Sequence, residues 1–134
     1  MSDTTRILAG ILLLSLVTVE TGGIYLVKLA QGAASATPFQ IAFARAGHAH
    51  AGVFVILSLI CQILADSAAL PLALIWMVRL GVPAAAIFVP LGFFLSIPSP
   101  DATAPNRAVS LIYVGAASLA LSVLTLGVGL LRGA

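Results

Sequence analysis

An all-α fold with four membrane-spanning helices in a bundle is predicted, on three observations. The 134-residue chain is 61% hydrophobic and only 7% charged, with a mean hydropathy of +1.20. A typical soluble domain is about 45–50% apolar and about 25% charged. The apolar residues fall into four runs separated by Gly- and Pro-containing breaks. No region alternates with period two over several segments, as a transmembrane β-barrel would. We therefore expect a single transmembrane domain over 1–134. Its spans are placed at 6–29, 38–66, 82–97 and 105–131, with a short interfacial helix before the third. The net charge of +2 is too small for a phosphate-binding surface, so nucleic acid is not an expected partner. Cys61 is the single cysteine and has no intrachain disulfide partner.

Asp3, Thr4 and Thr5 offer N-cap side chains for the first helix. Arg6 to Leu29 as a helix measures roughly 36 Å, enough to span with some tilt. Ala34-Ser35-Ala36 looks like a leader cleavage site. The apolar region of a leader is only about 7–15 residues long, and it does not continue past a residue such as Glu20 into more apolar sequence. The run is therefore read as a span. Thr37-Pro38 predicts the start of the second helix, because Pro is tolerated at the first helical position. Ser67 to Leu70 turns the chain. Pro71 to Leu80 is read as the interfacial lead-in, with Trp76 and Arg79 at the membrane surface. Val82 to Ile97 follows as the third span, bent at Pro90, and one long bent helix is the alternative. Asp101 or Thr103 is expected to cap the fourth helix, with Pro105 near its first turn.

An even number of spans places both termini on one side. Arg6, Arg79 and Arg132 flank that side, and Lys28 and Arg107 the other, which favours a cytoplasmic N-terminus. Five Arg against one Lys, with abundant Ala, Leu, Val and Gly, points to a GC-rich bacterial genome and so to a bacterial cytoplasmic (inner) membrane.

The polar residues inside the spans carry the functional expectation. Rise per residue puts Glu20 ~13 Å, His48 ~15 Å and Tyr113 ~12 Å inside the same boundary. Ionisable groups at such depth are costly and usually mark a site. Glu20, His48, His50 and Tyr113 are expected to share one level, with Arg45 as an intermediary. The plain alternative is a Glu20–Arg45 ion pair, with both histidines bonded to backbone carbonyls. At about 100° per residue, Arg45, His48, Gly52, Leu59, Gln62 and Asp66 form one stripe of the second helix. His50 lies nearly opposite, with Phe54, Leu57 and Cys61. The two imidazoles therefore cannot chelate one metal ion from a regular helix. Small residues on both sides, Gly47 and Gly52 among them, leave room for close packing or for a flat cofactor. If His50 faced lipid, a homo-oligomer (dimer or trimer) joined through this helix would be the natural remedy. The alternative is a central second helix with neighbours on both sides.

Arg45-Ala46-Gly47-His48-Ala49-His50-Ala51-Gly52 resembles one helix of the haem–copper oxidase superfamily, especially the nitric oxide reductases. In that superfamily a His-x-His pair serves two haem irons on opposite helix faces. Pro105-Asn106-Arg107-Ala108-Val109 is similar to a helix start in those reductases. The oxidase subunit has twelve helices in three groups of four, which a homotrimer of this chain would imitate. The overall pattern also resembles small four-span bacterial membrane proteins. The resemblance implies haem, or copper or iron, bound through His48 and His50, with electron transfer or oxidase-like chemistry. Only two histidines are present, fewer than a complete oxidase centre needs. The competing expectation is a cofactor-free membrane subunit or a proton-linked carrier in which Glu20 and His48 exchange protons.

Overall fold

The computed structural model describes residues 1–99 and 101–133. It contains α1 (Asp3–Ala30), α2 (Pro38–Ala65), α3 (Leu72–Leu95) and α4 (Ser110–Arg132), with a 3₁₀ turn at Arg107–Val109 leading into α4. All four are long and apolar enough to cross a membrane, so the chain is a multi-pass membrane protein. α3 packs on both α2 and α4, whereas α1 packs on α2. The helices therefore follow one another in chain order, and much of α1 has no neighbour within the chain.

Local chemistry sets the ends. Ser2, and not Asp3, Thr4 or Thr5, caps α1: its hydroxyl accepts from the Thr5 N–H at 3.2 Å. Thr37 caps α2 as expected, and Gln40 returns a bond to the Thr37 N–H at 2.9 Å, completing a capping box. Asn106, and not Asp101 or Thr103, caps the fourth helix by accepting from the Ala108 N–H at 2.7 Å.

The lead-in before the third span is not a separate helix. α3 runs unbroken from Leu72 to Leu95, the longer form weighed above. Pro83 lacks the N–H that would bond the Arg79 carbonyl. The Gln62 side-chain amide donates to that carbonyl at 2.8 Å, so the helix continues through the proline. Arg79 is buried between the helices, at 5% exposure.

The core lies where α2, α3 and α4 meet, around Cys61, Ala65, Val78, Val82 and Leu126. α3 and α4 approach closely at glycines. A methyl group on Gly92 would stand 2.8 Å from the Ile112 backbone nitrogen, and one on Gly115 would stand 3.1 Å from that of Val89. The Ser118 hydroxyl adds a bond to the Gly81 carbonyl at 2.9 Å.

Candidate functional site

Two polar regions lie along α2, and they differ in how fully they are bonded. The first is at the end of the bundle that carries the N-terminus. Arg79 reaches from α3 toward the start of α1 and the end of α2. Its guanidinium donates to Thr5 Oγ1 at 2.8 Å, to Gln62 Oε1 at 3.1 Å and to Asp66 Oδ1 at 2.7 Å. The Asp66 carboxylate also accepts from the Ser2 N–H and hydroxyl, each at 2.8 Å, and from the Thr5 hydroxyl at 2.9 Å. These bonds, led by the Ser2 N–H, hold the Asp66 carboxyl far below the usual carboxylate range. Gln62 and Asp66 are thus brought together as expected, but with Arg79, Thr5 and Ser2 instead of with the histidines. The signal for Arg79 was legible: it is the one charge within the third apolar run, and such a charge needs a partner.

The second region is a cleft of about 480 Å³ between α1, α2 and α3. Its walls are mostly apolar, from Leu12, Val19, Val55, Ile87 and Phe94 among others. His48 projects into it, half-buried, and makes no hydrogen bond among the described residues. The ring lies against two glycines of α1. A methyl group on Gly22 would stand 3.1 Å from His48 Nδ1, and one on Gly23 would stand 3.4 Å from Cε1. Larger side chains there would press on the imidazole. The Ser15 hydroxyl, also in the wall, is turned back to the Leu12 carbonyl at 2.7 Å, and Thr18 to the Ser15 carbonyl at 2.6 Å.

α3 completes the wall of the cleft. Ala86 and Pro90 both line the cleft. Pro90 has no N–H, so the Ala86 carbonyl lacks the donor a regular helix would supply. Among the described residues no side chain donates to it either, in contrast to the Arg79 carbonyl that Pro83 frees.

His50 occupies a different environment. Its Nδ1 lies 2.7 Å from the Ala46 carbonyl. Its ring stacks on Phe93 of α3, with centroids 5.2 Å apart, and meets Phe54 edge-on. His48 therefore faces α1 and His50 faces α3, the opposite-face geometry expected of an i, i+2 pair. α2 has neighbours on both sides, and His50 is half-buried against Phe93 within one chain. Gly47 allows α2 and α3 to touch, since a methyl there would stand 2.9 Å from Phe93 Cβ. Gly52 has open space beside it.

Three expected members of the site stand apart. Glu20, Arg45 and Tyr113 are all exposed, Tyr113 at 70%, and among the described residues none forms a side-chain hydrogen bond or ion pair. α1 turns Gly22 and Gly23 toward His48, which directs Glu20 off that face. Tyr113 is on α4, and α4 packs on α3, away from α1. Among the described residues no three His, Cys, Asp or Glu side chains converge as a metal-binding group. Comparison of the chain with protein-family models, with curated proteins and with solved structures finds no match.

Proposed function

We propose that this chain is an integral membrane protein that binds an apolar cofactor or substrate in the α1–α2–α3 cleft, with His48 as the group that holds it. One observation carries the reading: an imidazole with no hydrogen bond among the described residues projects into a mostly apolar cleft of about 480 Å³. Binding sites for small molecules are commonly concave and apolar, with a few placed polar groups. A bilayer protein also gains little by leaving an imidazole unpaired unless something meets it.

Haem is the occupant that the His-x-His resemblance points to, with a lone iron or copper ion as its simpler form. The fit is partial. A neutral imidazole is a good iron ligand. The glycine pair at 22–23 lets α1 lie against the ring without a side chain pressing on it. A second ligating side chain would have to come from another molecule, a further copy of this chain included. Bound haem would supply electron-transfer or oxidase-like chemistry. His48 would hold and orient it, and the apolar walls would exclude water. A bacterial inner membrane is the location that composition supports. The carrier reading, with proton exchange between Glu20 and His48, draws less support, because Glu20 is exposed and unbonded to that ring.

The test is what the protein carries. We expect purified protein to hold a stoichiometric Soret-absorbing group, a metal or an extractable apolar compound. His48→Ala and Gly22→Leu should release it, and His50→Ala should not. A wild-type protein with no chromophore, no metal and no compound beyond bulk lipid overturns the reading.

A further inference from the structure

Glu20 and Arg45 are charges that the fold leaves without a partner deep in a span. Of the four acidic residues, Asp3, Asp66 and Asp101 sit at helix ends or in a loop, and Glu20 alone stands within a span. Of the six basic residues, Arg79 is bonded to Asp66, and Arg6, Lys28, Arg107 and Arg132 lie in the first or last turns of their helices. Rise places Glu20 ~13 Å and Arg45 ~10 Å inside the same membrane boundary. Both side chains are exposed, and among the described residues neither makes a hydrogen bond or an ion pair. In a bilayer that exposure is to hydrocarbon, where an ionisable side chain is costly. The long Arg45 stem can carry its charge toward the headgroups, but a Glu side chain is too short to do so from this depth.

The two charges lie on one flank. Gly22 and Gly23 of α1 face His48, and Thr5 bonds to Gln62, which fixes the register of the antiparallel α1–α2 pair. At about 100° per residue, Glu20 is turned roughly 110° from the centre of the glycine pair, and Arg45 roughly 60° from His48. Because the helices run in opposite directions, these turns carry both side chains to the same side of the α1–α2 plane. Gly47, which meets Phe93 and Phe94 of α3, is turned about 100° from His48 the other way, so α3 and the cleft lie on the opposite side. The charged flank also presents Leu13 and Val27 of α1 and Ile56, Ile60 and Ile63 of α2, each about half exposed.

We infer that this flank docks a second copy of the chain, related by a two-fold axis along the membrane normal, with Glu20 of each copy paired to Arg45 of the other. Charge complementarity selects the occupant. The flank lacks one cation and one anion, and a second copy brings one of each, whereas lipid tails bring neither to this depth. A two-fold contact is self-complementary, so both pairs form together and both leave the hydrocarbon. Glu20 is two residues from Gly22 and Arg45 three residues from His48, an axial offset of ~8 Å that the two side chains can bridge between them. Within one chain the same pair would also have to span the α1–α2 separation, and the structure does not form it. Ala42 and Ala49, exposed about one turn to either side of Arg45, let a second backbone come close. The cleft stays open on the opposite side, and nothing in the inference rests on what it holds.

The experiment counts copies in a bilayer. Full-length protein, dye-labelled through a C-terminal tag, is reconstituted in phosphatidylcholine vesicles. Single-molecule photobleaching gives the stoichiometry, and energy transfer across a dilution series gives the affinity. We expect wild type to form dimers. Glu20→Gln and Arg45→Gln should each weaken dimerisation by roughly ten- to a hundredfold, since two interhelical polar contacts are lost per dimer. Glu20→Arg and Arg45→Glu should each stay monomeric alone and should dimerise with each other when mixed. In the mixture every pairing between copies is of opposite sign, while the two charges within either chain are alike, so a pair formed inside one chain cannot produce this result. A monomeric wild type overturns the inference without recourse to any variant. Dimers indifferent to both Gln variants overturn it as well, and these neutral substitutions decide the matter if the reversed-charge chains fail to insert. Reversed-charge chains that insert but associate no better mixed than alone also overturn it, as does a wild-type chain that binds a different protein while remaining single.

Discussion

Pro83 and Pro90 lie seven residues apart on one helix and remove the same kind of backbone donor, yet their surroundings are opposites. Around Pro83 nearly every polar group is paired: Gln62 bridges the Arg79 carbonyl and guanidinium, and Asp66, Thr5 and Ser2 complete the set. Around Pro90 the wall is mostly apolar, and His48 has no hydrogen-bond partner among the described residues. The first region joins α1, α2 and α3 at one end of the bundle. The second is held open between the same three helices further along. A saturated polar network contributes to the fold, whereas an unsaturated polar group in a cavity of this size is an invitation to a ligand.

If that contrast is right, the two regions should respond differently to mutation. Arg79→Leu should have the largest effect, because it leaves Asp66 without its cation. Breaking a buried pair costs about 3–5 kcal/mol, and the low end applies here since Asp66 keeps some access to solvent. Unfolding in mixed detergent micelles would measure it, and a loss near zero would show that the network does not hold the helices together.

Gln62→Leu should cost about 1–3 kcal/mol, because it strips the Arg79 carbonyl of its donor and the guanidinium of one acceptor. Pro83→Ala restores a backbone N–H to that carbonyl, so the double variant should recover part of the loss. Equal losses in the single and double variants would show that the amide does not act through the proline.

The acid limb of stability should belong to Asp66. Its carboxyl titrates below the ordinary value in the folded protein, so its contribution is fully present above the unfolded pKa of about 4. That contribution is lost as pH falls from there toward the lowered folded value. Asp66→Asn should flatten this limb and leave the profile above pH ~5 unchanged in shape. A wild-type loss that begins well above that range would assign the acid sensitivity to another group.

The smallest effect on stability is expected at the cleft. His48→Ala removes a ring with no hydrogen bond among the described residues, so unfolding of the ligand-free protein should shift by less than about 1 kcal/mol. His50→Ala should cost more, since it removes a bond to the Ala46 carbonyl and the stack on Phe93. A large loss at His48 with none at His50 would reverse their assignments as working and structural histidines.

The number of spans and the start of α2 at Thr37-Pro38 were legible from composition and cap chemistry, because these are properties of each segment taken alone. So was the opposition of His48 and His50, which follows from 100° per residue on one helix. Direction around the neighbouring helices was not. Glu20 shares a level with His48 by rise, but α1 turns its glycine pair to the imidazole and leaves the carboxylate outside. Pro71 to Leu80 was read as a separate lead-in, whereas α3 continues through Pro83, where the Gln62 amide, seventeen residues from Arg79 in sequence, meets the Arg79 carbonyl. Such outcomes depend on which faces pack together. Those faces are chosen by summed contacts between helices, each too small to read from one segment of an almost uniformly apolar chain.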